Sequence, residues 1–316
     1  MADTILWGTG IEDVAEGIGP GQLRDMSRVC GPDVESPLHW SPACLVSEGS
    51  GSRCWVSGKN ENLPVFVTGP CASSMQLAWC FHRKNLLPEW GSVLAASQWA
   101  GKGQLGRQWH SPTGNIYGTI RLPSSALLEV DCLPLLVGYA LVTALGAIGV
   151  TVKLKWPNDL VIGVQKVGGI LIEEKGGLRM VGVGVNLISS PTEKSLRNDN
   201  ALAAACLKDF GYKDQSPLSL WRHLVTTTRD SFRTFTSSDL PELMAKIQPH
   251  LAFAGDKVRV EDYANPPYEA KILGLSSNGG LKLLTRSGTT VVRSASIYPL
   301  CMFDAEKENH VERNDI

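Results

Sequence analysis

The alternation of apolar and polar positions divides the chain into three parts. Residues 1–60 are rich in Gly, Pro and Ser and show no sustained helical or strand period. From about residue 65, runs typical of strands are LPVFVTG, GSVLAASQ and NIYGTIRLP, and runs typical of helices are SSMQLAWCFHRKN and CLPLLVGYALVTALGAIG. A serine in front of the first helical run predicts an N-cap. This alternation predicts an α/β (α+β) domain.

The same reading extends to the end of the chain. VTVKLKWPND alternates until Pro157, and LVIGVQKVGGILIEE and LRMVGVGVNLI are typical of paired strands. Residues 215–250 have helical spacing. The last block has short alternating segments with turns at AGD, SNGG and RSG, which predicts a small antiparallel barrel. We therefore predict an N-terminal extension at 1–64, an α/β domain at 65–250, a β domain at 252–303 and a polar tail at 304–316.

Composition narrows the classes of partner. The 316 residues are 43% hydrophobic with a net charge of −1, which is typical of a globular chain of about two domains without a global field for nucleic acid or membranes. Residues 1–60 carry four basic and eight acidic side chains, so we expect no DNA-recognition helix there. Eight scattered cysteines, no export signal and no membrane-spanning run favour a cytoplasmic location.

One stretch suggests anion binding: residues 101–118 read GKGQLGRQWHSPTGNIYG. Glycines let backbone N–H groups approach a ligand closely, so a glycine-rich run with cations is a plausible phosphate clamp. It is not a Walker loop, because no Lys-Ser or Lys-Thr follows the last glycine. It matches GxGxxG at Gly101, Gly103 and Gly106, but a strand-like run follows where the Rossmann motif needs a helix. By itself the stretch is equally consistent with a flexible surface turn.

A second stretch changes that balance. KWPND places Lys155, Trp156, Asn158 and Asp159 around a proline, and Lys166 follows seven residues after Asp159. Two glycines come close behind Lys166, and GVGVN ends at Asn186. In isolation, each of the two lysines would be read as a solvated strand-end or turn cation.

Taken in order, GKGQLGRQW, SPTGNIYG, KWPND, KVGGIL and GVGVN resemble the motifs of the biotin protein ligases, in the wider biotin/lipoate ligase family. The resemblance covers about residues 65–300. It implies a class II aminoacyl-tRNA-synthetase-like catalytic domain and an SH3-like C-terminal barrel. It also implies ATP-dependent activation of biotin as biotinyl-5′-AMP and transfer to a lysine of a biotin carboxyl carrier domain. Mg²⁺ is implied by ATP chemistry, and its ligands are unknown.

The resemblance also implies roles for individual residues. The catalytic residues it implies are Lys166 and Lys102. With Lys166, the residues it implies for biotin binding are Ser73, Ser74, Met75, Gln98, Gly168 and Gly169. Those for ATP or adenylate are Gly101, Lys102, Gly103, Gln104, Gly106, Arg107, Trp109, Lys155, Asn158 and Asn186. Plainer roles stay open: helix capping for the serines, core packing for Trp109, and backbone bonding for the two asparagines.

The chain departs from the family pattern at three positions. Gln104 stands where the family has a second loop Arg, Lys102 replaces the first loop Arg, and Met75 replaces the commoner Asn. Lysine gives up the bidentate fork of arginine, so we expect weaker retention of the adenylate than in an Arg-bearing relative. Three alternatives stay open: a lipoate or octanoate enzyme on the same fold, a biotin sensor without turnover, and a ligase that is also a repressor. Either a monomer or a homodimer is compatible with the sequence.

Overall fold

The computed structural model describes residues 4–8, 15–19, 40–43, 54–57, 63–124, 132–192, 202–213, 216–235, 239–262 and 265–301. The predicted tail at 304–316 and most of the predicted extension at 1–64 lie outside these residues. No helix in the described ranges is long and apolar enough to cross a membrane.

Ten strands of the described chain form one large sheet. They are β1 (Thr4–Trp7), β2 (Ser41–Ala43), β3 (Cys54–Ser57), β4 (Val65–Cys71), β5 (Ser92–Gln98), β6 (Ile116–Arg121), β7 (Lys153–Lys155), β8 (Asp159–Ile162), β9 (Gln165–Lys175) and β10 (Leu178–Val185). Their order is β2-β3-β1-β4-β5-β6-β10-β9-β8-β7. β4 is parallel to β1 and β5, and the other neighbours are antiparallel. The predicted strands from residue 65 to 187 are confirmed.

Helices cover this sheet. The four α-helices of the described residues are α1 (Ser74–Arg83), α2 (Leu133–Ala147), α3 (Pro217–Phe235) and α4 (Leu240–Ile247). Ser73 caps α1, because its side chain accepts a hydrogen bond from the Gln76 N–H at 3.1 Å. α1 packs on β5, β6 and β10, and α2 packs on β7 and β9. The predicted helices and the serine cap are therefore confirmed.

The C-terminal strands form a separate, antiparallel sheet. They are β11 (Lys257–Glu261), β12 (Tyr268–Leu275), β13 (Leu281–Thr285), β14 (Gly288–Val292) and β15 (Ser296–Pro299), hydrogen-bonded in the order β14-β13-β12-β11-β15. β14 and β15 are the two edges, so the sheet is open and the prediction of a closed barrel is not confirmed. One face is apolar and buried, as the alternating pattern requires.

The C-terminal sheet is attached to the large sheet at β7. The Ala252 N–H donates to the Leu154 carbonyl at 2.9 Å. The indole N–H of Trp156 donates to the Gly279 carbonyl at 3.0 Å, within a buried contact. Edge strand β7 is therefore covered by the segment that leads into the second sheet, which places KWPND between the two sheets.

Strands β1 to β3 come from the region in which the sequence showed no period. β1 lies between β3 and β4, pairing Thr4, Ile5 and Leu6 with Val65, Phe66 and Val67. Because β1 is only four residues long and buried throughout, it has no alternation to reveal it.

Candidate active site

Asp159 lies at the centre of a charged cluster in KWPND. Its Oδ1 is 2.5 Å from Lys166 Nζ, and its Oδ2 is 3.0 Å from Lys155 Nζ. Burial alone would raise the pKa of Asp159, but the two ammonium groups outweigh it and hold this pKa well below the usual range. The carboxylate thus stays ionised at neutral pH and fixes both lysines. Asp159 is part of the KWPND motif, but the sequence predicted no role for it.

A β-bulge brings Lys166 to this carboxylate. Asp159 pairs with Gly169 and Leu160 with Gly168, but Val161 pairs with Lys166, so Val167 is skipped. Side chains alternate along a strand, so Lys166 and Gly169 would otherwise point to opposite faces. The skipped residue puts them on the same face, and a Cβ added at Gly169 would lie 3.5 Å from Lys166 Cε. The Val167 carbonyl accepts from the Asn186 N–H at 2.8 Å, which holds the bulge.

Trp109 lies beside Lys166, and its ring packs against two glycines. Lys166 Nζ is 5.3 Å from the ring centroid, within the range of a cation–π contact. Gly169 and Gly184 are opposite each other on β9 and β10, and an added Cβ would lie 3.3 Å and 2.7 Å from the indole, respectively. The buried indole N–H of Trp109 has no hydrogen-bond partner among the described residues.

A hydrogen-bonded path leads from Trp109 to the start of α1. Ser111 Oγ donates to the Trp109 carbonyl at 3.0 Å and accepts from Gln98 Nε2 at 2.9 Å. Gln98 Oε1 accepts from the Ser74 N–H at 2.7 Å, and Ser74 Oγ is 3.0 Å from Thr119 Oγ1. The structure therefore brings Ser74, Gln98, Trp109 and Lys166 into one network. The sequence did not predict Ser111 or Thr119 as site residues, although Ser111 lies within the glycine-rich stretch at residues 101–118.

The glycine-rich stretch with its cations, at residues 101–109, is folded on itself. The Gly103 N–H donates to the Arg107 carbonyl at 2.7 Å, and the Trp109 N–H donates to the Gly101 carbonyl at 2.9 Å. These two N–H groups are therefore used within the loop. The side chains of Lys102, Gln104 and Arg107 are exposed, and Gly106 has a φ of 71°, which favours glycine. The loop cations are thus at the surface, apart from the partly buried network.

Other predicted residues bond to the backbone. Asn158 Nδ2 donates to the Ile170 carbonyl at 2.7 Å, and Asn186 Nδ2 donates to the Ala205 carbonyl at 3.0 Å. Met75 packs against Gly182 of β10, where an added Cβ would lie 3.1 Å from its methyl group. A Cβ at Gly168 would lie 2.8 Å from the Gly184 carbonyl oxygen, so this glycine permits close strand packing. Asn158 and Asn186 therefore fit the backbone role left open above.

Part of the chain is similar to a known protein family. Residues 68–187 match the model of the biotin/lipoate A/B protein ligase family, and they include the whole network from Ser74 to Lys166. Within the matched residues, Lys155, Asp159 and Lys166 belong to β7, β8 and β9.

Curated relatives agree with this family. A biotin–[acetyl-CoA-carboxylase] ligase of Paracoccus denitrificans is 44% identical over 108 residues, covering 31% of this chain and 45% of that protein. The chain thus matches less than half the length of this relative. The bifunctional ligase/repressor BirA of Bacillus subtilis strain 168 is 27% identical over 221 residues, covering 67% of each protein.

A similar fold is also found in solved structures. A biotin protein ligase from Aquifex aeolicus, in complex with biotin and ATP, superposes with a TM-score of 0.66 at 24% identity. The superposition covers 76% of this chain and all of that chain. At this identity the likeness shows the mixed α/β fold alone.

Proposed function

We propose that the chain is an ATP-dependent biotin protein ligase. The observation that carries the proposal is the continuous network from Ser74 through Gln98, Ser111 and Trp109 to Lys166 and Asp159, all within the residues matched by the family. One end of this network, at Ser74 and Gln98, offers hydrogen-bonding groups, and the other end offers the fixed ammonium group of Lys166. This arrangement suits a substrate that has a ureido ring at one end and a carboxylate at the other.

The proposed reaction has two steps. A biotin carboxylate oxygen attacks the α-phosphorus of ATP, and pyrophosphate leaves with the electrons of the broken P–O bond. A neutral lysine amine of the carrier domain then attacks the acyl carbon, AMP leaves with the electrons of the broken C–O bond, and the nitrogen releases a proton to water as the amide forms. Both steps build negative charge on oxygens at the acyl–phosphate junction, so preorganised donors there lower the barrier.

Lys166 is the proposed donor at that junction. An ammonium group has three donors, and Asp159 takes one of them, which leaves donors for an acyl oxygen and a phosphate oxygen. Ser73, Ser74, Met75, Gln98, Gly168 and Gly169 are proposed for biotin. For ATP and the adenylate we propose Gly101, Gly103, Gln104, Gly106, Arg107, Trp109, Lys155, Asn158 and Asn186, with Lys102 as a second catalytic cation that closes over the phosphates.

Mg²⁺ does not fit a site built by the protein alone. No cluster of three His, Cys, Asp or Glu side chains occurs among the described residues, and the Asp159 carboxylate already pairs with two ammonium groups. Mg²⁺ is usually bound by one or two carboxylates together with substrate phosphates. We therefore propose that any Mg²⁺ arrives with ATP.

The remaining proposals concern the whole molecule. They are domains at 1–64, 65–250 and 252–303 with a tail at 304–316, a synthetase-like catalytic core, an SH3-like C-terminal unit, and a carboxylase carrier domain as acceptor.

We propose no DNA-binding role, since the strands described before residue 58 join the large sheet. Six cysteines in the described part of the chain carry free thiols, which fits a cytoplasmic location.

Biotin-dependent exchange between ATP and pyrophosphate tests the proposal. We expect Lys166→Ala to lower the exchange rate by about 10²–10³-fold or more, because it removes a donor at the developing charge. Lys175→Ala is the matched control, since Lys175 lies at the far end of the same strand and is exposed. Near-normal exchange by Lys166→Ala would refute the assignment. Exchange with lipoate in place of biotin, or biotin binding without exchange, would favour the lipoate enzyme or the sensor.

A further inference from the structure

The described N-terminal segments lie outside residues 68–187, yet they reach the rim of the candidate site. After β1, residues 15–19, here called the N-terminal strap, return along the end of β4. The Ile18 N–H donates to the Trp7 carbonyl at 2.8 Å, which ties the strap to β1. Both Ala15 and Ile18 are almost completely buried. The strap is thus packed against the end of β4, which is an interior strand of the sheet.

The strap forms a short ladder with the end of β4. The Glu16 N–H donates to the Pro70 carbonyl at 2.7 Å, and the Gly69 N–H donates to the Glu16 carbonyl at 3.1 Å. A Cβ added at Gly69 would lie 2.9 Å from the Glu16 oxygen, so the two backbones approach as closely as a glycine permits. The Glu16 side chain itself is exposed. The backbone of Glu16 therefore makes the contact.

On its other side, the backbone that follows β4 is held by the two residues just before the glycine-rich stretch. The Trp99 N–H donates to the Cys71 carbonyl and the Ala100 N–H to the Ala72 carbonyl, both at 3.0 Å. The backbone from Pro70 to Ala72 is therefore fixed from two sides. It leads directly into Ser73 and Ser74, whose N–H and hydroxyl groups open the network described above.

We propose that the N-terminal strap is a positioning element for the biotin end of the site, and this inference rests on the proposed function. The Glu16 N–H fixes the Pro70 carbonyl, and through the next three residues it sets where Ser73 and Ser74 present their polar groups. A misplacement of about 1 Å that originates far from the reacting atoms can cost about 10²-fold in catalysis. The strap acts on biotin binding through β4 and touches no substrate.

Two substitutions at one position test the inference in the full-length chain. Glu16→Pro removes the N–H that Pro70 accepts, whereas Glu16→Ala keeps it and changes only an exposed side chain. We expect Glu16→Pro to raise the KM for biotin about five- to tenfold in ATP–pyrophosphate exchange, the loss typical of one hydrogen bond. The KM for ATP should change less than twofold, and Glu16→Ala should match the wild type in both.

A purely structural strap would give a different result. It would lower the melting temperature and the fraction of active enzyme, and hence kcat, while the KM for biotin stays at the wild-type value; that outcome overturns the inference. If Glu16→Pro does not fold, Gly69→Ala, which pushes on the strap through a single methyl group, is judged by the same KM criterion. Wild-type protein without biotin-dependent exchange would instead refute the proposed function, so the two failures are distinct.

Discussion

Asp159 determines the electrostatics of the site, because its one carboxylate pairs with both ammonium groups, those of Lys155 and Lys166. The side chain of Asp159 is only 14% exposed, so water screens its two ion pairs only weakly. Its pKa is lowered by folding. The resulting stabilisation is therefore complete above the ordinary carboxyl pKa of about 3.9 and is lost as the pH falls toward the lower pKa of the folded state.

Asp159→Asn should remove this stabilisation and leave two cations unpaired. We expect the free energy of unfolding at pH 7 to fall by about 3 kcal/mol, the lower end for a broken buried ion pair, since Lys166 keeps some contact with solvent. Urea unfolding measures the difference, which should shrink steadily as the pH falls from about 4 to about 2.5. Asp256→Asn is the control, because Asp256 is exposed. A difference that is independent of pH would contradict the ionic explanation.

At the residue scale, sequence could name the chemistry but not the contacts. The predicted Ser74, Gln98, Trp109 and Lys166 meet in one network. The partner of Lys166 was not predicted, because it depends on the skipped residue Val167, and a bulge leaves no mark on the apolar pattern. An amide such as Asn158 fits a ligand or a backbone carbonyl equally well until its neighbours are known.

At the scale of elements, strands β9 and β10 are shaped to accept Trp109. The facing glycines remove the side chains that would hold the indole away from Lys166. The sequence shows KVGGIL and GVGVN as separate motifs, and only the strand register reveals that Gly169 and Gly184 share one function. The strands themselves were predictable, because runs such as LRMVGVGVNLI are long enough to show their type.

Gly184→Ala should therefore conflict with Trp109. A methyl group 2.7 Å from the indole must displace it, and we expect a loss of about 1–3 kcal/mol in the free energy of unfolding, as for other overpacked sites. The same substitution in a Trp109→Ala background should cost much less, which a double-mutant cycle by urea unfolding measures. Gly146→Ala, where the methyl group meets open space, is the control. Equal costs in both backgrounds would show that Trp109 is not the obstacle.

At the scale of the whole molecule, the C-terminal sheet is joined to the large sheet at the KWPND segment. The turn before β13 accepts from Trp156 at Gly279 and from the Cys132 thiol at Asn278. The SNGG turn was predictable as a turn, but its seat against Trp156 and α2 was not. Such contacts join residues more than 120 positions apart in the chain, which local patterns do not encode.

Gly279→Ala tests this junction. Gly279 has a φ of 82°, and an added Cβ would lie 2.8 Å from Cys132 Sγ. Gly211 has a φ of 83° with open space around it, so Gly211→Ala carries the same backbone strain without the collision. We expect Gly279→Ala to be less stable than Gly211→Ala by about 1–3 kcal/mol in urea unfolding. Equal stabilities would mean that the turn yields without cost and that the two sheets are only loosely joined.

The interior position of β1 has a practical consequence for anyone who trims this chain. A fragment trimmed on its N-terminal side to the start of the family match would begin at residue 68 and lose β1, β2 and β3 together with the first residues of β4. The remaining edge would present unpaired backbone groups beside apolar side chains, which is a template for self-association. Fragments of that length should precipitate or form oligomers on purification, although every motif of the reaction is still present.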